Sequence, residues 1–333
     1  MPGPAVSILL PVYDAADTLS EAIDSICAQT WPDWELIVFD DGSTDGTLEV
    51  AQSFARNDRR IRVLPSAHAG IVDALRNAAK AAEGPYLARM DGDDIAQPVR
   101  LERQMEAMAA DNDLALCGTH VTMFGESIGE GRRLYETWLN HFTCHEEMAR
   151  EIFIECPIAH PTFLMRRSWF ECVGGYQDRG WPEDYDLVMR LYLAGGRLGT
   201  VPEALLAWRE HGHRLSMTDG RYSLEAFRRL KRHYLFESYL SDGKPFYQWG
   251  AGQVGKAWLR EWGHQRPTAV VDIHPRKIGK RIHGVRVIEP DDLPPPGTTR
   301  TLVAVGAPGA REDIRNWMSE RRYREGTDYI FVA

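Results

Sequence analysis

Cysteine is scarce and scattered: five residues, Cys27, Cys117, Cys144, Cys156 and Cys172, with no CxxC pair among them. An odd, dispersed set argues against a zinc site and reads as reduced thiols in a cytoplasmic protein. No apolar run approaches the roughly 18 residues that a membrane span needs. The N-terminal MPGPAVSILLPVYDAAD lacks a basic n-region, and Asp14 interrupts its apolar run, so it reads as a first strand rather than a signal peptide. Basic residues are outnumbered, 39 Lys and Arg against 48 Asp and Glu, for a net charge of −9. That balance argues against sequence-independent binding to nucleic acid, which needs a dense basic surface. It leaves room for small anionic ligands, which need only local positive charge or a metal. Low-complexity tracts are absent, and 44% hydrophobic with 26% charged residues is ordinary globular composition. A length of 333 residues suggests two domains, each able to bury a core.

The first hundred residues alternate strand and helix. Val6–Tyr13, Trp34–Asp41, Ile61–Ser66 and Tyr86–Met90 read as strands, with helices over Leu48–Ala55 and Ile71–Ala82. Before the first of these helices, Thr18 with Glu21 spells a capping box ahead of the stripe Leu19, Ala22, Ile23, Ile26. Such alternation predicts a mostly parallel sheet with helices on both faces, and ligands at the carboxyl ends of its strands. Three strands end in polar clusters: Tyr13-Asp14, Asp40-Asp41 and Asp91–Asp94. One such cluster is usually a turn or a cap; three on one sheet edge point to a site. Further on, Leu114–Phe124 and Arg197–Arg209 read as strands, and Trp181-Pro182-Glu183-Asp184 opens a helix to Ala194.

The densest cluster lies in YLARMDGDDIAQP, with Asp91, Asp93 and Asp94 inside four residues. Carboxylates this close resist ionisation unless a positive charge offsets them. Asp91 and Asp93, two apart on an extended segment, face one way. Hard cations such as Mn²⁺ or Mg²⁺ take one or two carboxylates plus substrate phosphates, so a metal bridging to a diphosphate would balance the cluster.

The pieces PVYDAADTLSEAIDSICAQTWPDWELIVFDDGSTDGT, ALRNAAKAAEGPYLARMDGDD, VGGY, WPEDYDLVMRL and VPEALLAWREHGHRLS, in this order, resemble family 2 glycosyltransferases over residues 5–217. The resemblance implies an α/β, GT-A nucleotide-diphospho-sugar transferase fold, a mostly parallel sheet with flanking helices. It implies that Pro11, Tyr13, Asp41, Arg76 and Asp91 contact the nucleotide, that Asp93, Asp91 and His211 hold the metal, and that Asp184 is the general base. Glu183, Trp181 and His160 would line the acceptor side. His213, two residues beyond His211, is a rival to it. The ordinary readings stand beside these: an acidic helix start for Glu183-Asp184, a structural imidazole for His160 and His211, a core ring for Trp181.

Residues 221–240 form a basic amphipathic helix that would either lie on an anionic membrane surface or, more commonly, connect and pack domains. From residue 243 a small Rossmann-like α/β domain of about ninety residues begins. Its GAGQVG, with Gly250, Gly252 and Gly255, follows a strand and opens a helix; Asp272 stands twenty residues after Gly252, as in a dinucleotide fingerprint. The size leaves no room for two mononucleotide halves. The readings are a ligand-binding module, a self-association module forming a homo-oligomer, or an NAD-linked oxidoreductase. The expected domains are therefore 1–220, a helical linker 221–242, and 243–333.

Together these readings predict a metal-dependent, inverting glycosyltransferase, cytoplasmic or peripheral at the inner membrane face. Its partners would be a nucleotide-sugar donor, with UDP the first expectation, and a saccharide or lipid-linked saccharide acceptor in surface polysaccharide or glycolipid synthesis. The rivals are a nucleotidyltransferase, which would want a glycine- and basic-rich loop after the first strand, and a non-catalytic binding protein, against which the acids Asp91, Asp93 and Asp184 argue.

Overall fold

The computed structural model describes residues 3–126, 128–212 and 214–333, which form two compact units. The first comprises residues up to 148, 157–179 and 183–218; the second comprises 149–156, 180–182 and 219–333.

The first unit grows from two strands, β1 (Val6–Val12) and β2 (Trp34–Asp40), in which every residue is buried. Continuous apolar runs of this kind belong in a parallel sheet covered on both faces. The chain runs β1, α1 (Ala16–Cys27), β2, α2 (Thr47–Asn57), β3 (Ile61–Pro65), α3 (Ile71–Ala81), β4 (Tyr86–Arg89), β5 (Ile95–Ala96), α4 (Arg100–Ala110) and β6 (Leu114–Gly125). It continues through α5 (Glu130–Leu139), α6 (His145–Glu151), β7 (Leu164–Arg166), α7 (Arg167–Cys172), α8 (Glu183–Leu193), β8 (Arg197–Glu210) and α9 (Leu215–Thr218). The eight strands are ordered β3-β2-β1-β4-β7-β6-β8-β5. The first four are mutually parallel, β7 runs against β4 and β6, and β6 and β8 are parallel. Short β5 pairs antiparallel with β8, Ile95 opposite Ala207. That pairing ties the segment just after the aspartate cluster to a strand more than a hundred residues away.

The capping box does not form. The N-cap of helix α1 is Ala15, three residues earlier, and it makes no side-chain cap. Thr18 lies inside its first turn and donates 2.8 Å to the carbonyl of Gly92, while Glu21 pairs with Arg209. Both side chains are drawn to the aspartate loop, a tertiary demand that local pattern does not reveal.

The second unit contains α10 (Leu224–Glu237), β9 (Phe246–Trp249), α11 (Gln253–Glu261), β10 (Val270–Val271), β11 (Arg281–Ile282), β12 (Val285–Ile288), β13 (Arg300–Val303), α12 (Ala310–Glu320) and β14 (Tyr329–Phe331). Its sheet order is β11-β12-β10-β9-β13-β14, with the last five strands parallel. Helix α10 sends Lys231 inward, where the ammonium donates to the carbonyls of Ile154 and Val332. Burial lowers its pKa to about 8, against partial compensation from Glu155. The unfolded chain therefore holds this proton more tightly, and stability rises with pH between about 8 and the ordinary lysine value of 10.5. Chemical denaturation at pH 7.5 and 9.5 is expected to show a gain in the wild type that Lys231→Met lacks.

Among the described residues, no helix is long and apolar enough to cross a membrane. None of the five cysteines forms a disulfide.

Candidate active site

Two of the three acidic clusters at the strand ends are largely spent on their own loops. Asp14 accepts the backbone N–H of Thr44 (2.7 Å), and Asp45 accepts those of Thr47 and Ala16. Asp41, buried after β2, accepts the N–H groups of Ala69 and Gly70, each at 2.8 Å, and its Oδ2 lies 2.9 Å from His68 Nδ1. It thus shapes the loop that enters α3. Pro11 is buried within β1, and Tyr13 stands exposed just beyond it, its ring 4.3 Å from that of His68. Arg76, on α3, reaches the carbonyl of Tyr176 at 2.9 Å and Asp73 at 3.1 Å. The structure therefore assembles Tyr13, His68 and Asp41 at one place, and uses Arg76 to tie α3 to the Tyr176 loop.

The third cluster is different. Oxygen atoms of Asp91, Asp93 and Asp94 lie within 4.8 Å of one another at the carboxyl end of β4. Burial raises the pKa of Asp93, and the charge of Asp91 adds to this, with His211 partly offsetting both. Burial lifts Asp94 well above the ordinary range, reinforced by Asp91 and Asp93. His211, one residue past β8, places Nε2 2.9 Å from Asp93 Oδ2. Arg209 binds the loop twice, through its own N–H to Asp94 Oδ1 (2.8 Å) and its Nε to the Asp93 carbonyl (2.7 Å). Yet Asp94 Oδ2 is buried with no hydrogen-bond partner. A buried carboxylate oxygen without a donor is costly, and crowded oxygens with raised pKa values suit a hard divalent cation. The donor set fits such an ion. His213 lies outside the described residues.

Beneath the cluster sit two buried guanidinium groups that the sequence reading did not single out. Arg89, 3% exposed at the end of β4, pairs with Asp91 and donates to the Met90 carbonyl. Burial alone would lower its pKa, but Asp91, Tyr176 and Glu183 together raise it. Arg100, at the start of α4, donates to the Arg89 carbonyl (2.6 Å) and to Gln104 (3.2 Å). Burial brings its pKa down to about 10, with Asp94 opposing. A cation inside an otherwise apolar strand, YLARM, was the available signal: such a residue is buried only with a partner. Removing one member of a buried pair costs about 3 kcal/mol or more. Arg89→Met is expected to lower unfolding stability by about that amount, read as a fall in the urea midpoint.

On the acceptor-side segment, α8 begins with Glu183, buried, and Asp184, half-buried, whose Oδ1 accepts the Tyr185 N–H at 2.7 Å. His160 is held between Tyr176 and Glu183: Nε2 is 2.8 Å from the Tyr176 hydroxyl, and Nδ1 is 3.9 Å from Glu183 Oε1. Burial, then the charge of Arg89, pushes its pKa well below the ordinary histidine value, so the imidazole is neutral. The Tyr176 phenol is raised by burial and feels the charges of Arg89, Glu183, Asp184 and Asp91. Tyr176 thus lies within electrostatic reach of both the Glu183-Asp184 pair and Asp91. Trp181 falls in the second unit, where its ring lies 5.3 Å from that of His233.

In the second unit, Gly250 and Gly252 lie in the loop between β9 and α11, and Gly255 lies in the first turn of α11. Gly255 packs so close that a Cβ there would meet the Gly250 carbonyl oxygen at 2.0 Å. Buried Gln248 fixes the loop from below, donating 2.9 Å to the carbonyls of Gly250 and Gly255. Asp272 accepts the Ala251 N–H at 3.0 Å, that of His274 at 2.8 Å, and Lys277 Nζ at 2.9 Å.

The fold of the mixed sheet resembles known structures. S. aureus TarS 1-349 in complex with UDP-GlcNAc superposes with a TM-score of 0.56 at 18% identity, over 69% of this chain and 66% of that one. The mannosyltransferase PcManGT from Pyrobaculum calidifontis, in complex with GDP-Man and Mn²⁺, gives 0.50 at 20% identity, over 73% and 66%. The chain thus spans about two thirds of the length of these structures. The putative glycosyltransferase EpsE of Bacillus subtilis (strain 168) is 33% identical over 241 residues, 69% of this chain and 84% of that protein. The class is therefore a glycosyltransferase of GT-A-like fold, with a second, smaller sheet in the other unit. The chain belongs to glycosyl transferase family 2, whose model matches residues 7–174.

Proposed function

We propose that the protein is a metal-dependent, inverting glycosyltransferase that moves a sugar from a nucleoside-diphosphate donor to an acceptor hydroxyl. The observation that carries this reading is the crowding of Asp91, Asp93 and Asp94, with His211 on Asp93, near a Tyr176 phenol that also feels the charges of Glu183 and Asp184. Inversion needs two functions on opposite faces of the sugar: a base for the attacking hydroxyl and stabilisation of the leaving diphosphate.

Asp93, Asp91 and His211 are the residues that would hold a divalent cation, which when bound neutralises charge on the leaving diphosphate. Arg89 takes one face of Asp91, which leaves Asp93 as the stronger ligand. Arg209 and Thr18 fix the backbone of the loop, so its carboxylates are oriented before substrate arrives. Tyr13 and His68 offer rings for the base, and Asp41 keeps the His68 loop in place. Asp184 removes the proton from the acceptor hydroxyl as its oxygen attacks the anomeric carbon and the bond to the diphosphate breaks. Neutral His160, held by Tyr176 and Glu183, offers a hydrogen bond on the acceptor side without adding charge near Asp184. UDP is the first donor base to test, with GDP next; the acceptor is a saccharide, free or lipid-linked, in surface polysaccharide or glycolipid assembly.

A nucleoside-diphosphate release assay across UDP-, GDP- and dTDP-sugars, with the product anomer read by NMR, tests the proposal. Release of one nucleotide with an inverted anomeric centre supports it. Retention of configuration, or release that is indifferent to chelation of metal, refutes the mechanism.

A further inference from the structure

The second unit holds a cavity of about 460 Å³ that glycosyl transfer does not use. It is as large as small-molecule sites commonly are. Numbered along the chain, the five parallel strands β12-β10-β9-β13-β14 have the order 3-2-1-4-5. The chain reverses direction across the sheet between β9 and β13, and ligands of open α/β sheets sit in the crevice at that point, beyond the carboxyl ends of the strands. The cavity lies there, between the loop Gly250–Val254 after β9 and the loop Ala304–Ala307 after β13.

Its walls are unusual for a solvent-facing depression. Trp249 and Trp317, with ring centroids 4.9 Å apart, line it together with Val305 and Ile314. At its edge, Ile273 is 76% exposed, directly after the last residue of the β10 turn, Asp272. A large aliphatic side chain left in water at the mouth of an apolar cavity gains from a flat partner laid over it. Backbone polar groups gather at the start of α11. Helix α11 has no side-chain cap for its first N–H groups, and Gly252, Gln253 and Val254 at its start are exposed. Gly252 has nothing within 4 Å of the position its Cβ would take, which leaves the approach to those groups open. Lys277 neutralises Asp272 beside them. Asp313, across the cavity, offers an acceptor to a sugar hydroxyl.

We infer that this cavity binds the nucleoside 5′-diphosphate group, with the base against Ile273 and the apolar wall and the diphosphate at the start of α11. The group is present both in a free nucleoside diphosphate and in half of a nicotinamide dinucleotide. The inference stands apart from the transferase site, since it uses none of its residues and needs no divalent metal.

Calorimetric titration of UDP, GDP, ADP and NAD⁺ into the full chain, in EDTA, tests it. The result expected is saturable binding of at least one probe. Preference for NAD⁺ over ADP would identify the dinucleotide as source, and the reverse preference the free nucleotide. Gly252→Asp places a carboxylate where the diphosphate should lie, and with φ −79° and open space around it the residue fits the fold. Like-charge contact of this kind is expected to weaken binding about tenfold or more. Ile273→Ser, at an exposed position, is expected to weaken it by a smaller factor. Absence of binding by all four probes, or binding unmoved by both substitutions, would overturn the inference.

Discussion

Asp93→Asn is expected to lower kcat/KM about a thousandfold while leaving the fold as stable as before, or more so. Stabilisation of charge by a catalytic metal is worth several kcal/mol, and each 1.36 kcal/mol is a factor of about ten in rate. Asparagine keeps the size of the side chain and a carbonyl oxygen facing His211, but loses the charge that would hold a cation. The stability prediction has the opposite sign for a physical reason. Burial and the neighbouring charge of Asp91 both oppose ionisation of Asp93. A neutral side chain removes that penalty. A purely structural role would make activity and urea midpoint fall together; a metal-holding role separates them. Steady-state kinetics and denaturation on the same preparation decide between the two.

Asp184→Asn is expected to reduce kcat by about 10²- to 10⁴-fold, the usual range for loss of a general base, with donor affinity unchanged. Asp184 stands in the first turn of α8, where open N–H groups and the dipole favour an acidic side chain. Asparagine can still accept the Tyr185 N–H, so the helix start survives. In the proposed reading the donor is held toward the aspartate loop, so its binding should not register the change. A fall in donor affinity equal to the fall in kcat would move Asp184 from the base to a binding role. A variant that turns over normally would remove it from the mechanism.

Strand and helix positions were readable because the sheet is buried on both faces. Runs such as VSILLPV and WELIVFD admit few other structures. The acidic loop was readable for the converse reason: three carboxylates after an apolar strand demand an explanation. What balances them was only half readable. Arg89 and Arg100 come from β4 and the start of α4, and their burial beneath the loop depends on three-dimensional packing that spacing does not encode. The same holds for Asp41, whose partners Ala69 and Gly70 lie across a strand connection. Thr18 and Glu21 obey a local capping pattern, yet contacts to Gly92 and Arg209 win because they are made at the site itself. The glycine loop of the second unit was legible as a motif. Its cavity was not, since that depends on a second loop, after β13, some fifty residues away.

The most direct test is calorimetric titration of UDP-GlcNAc, then the other nucleotide sugars, with Mn²⁺ or with EDTA. It should use the Gly252→Asp chain, so that binding at the second cavity is weakened, with and without Asp93→Asn. The account predicts that one donor binds, that Mn²⁺ is required, and that Asp93→Asn abolishes the metal-dependent part. Failure of every donor to bind with metal, or equal binding in EDTA and in Asp93→Asn, would contradict a metal-assisted transferase site at the aspartate loop.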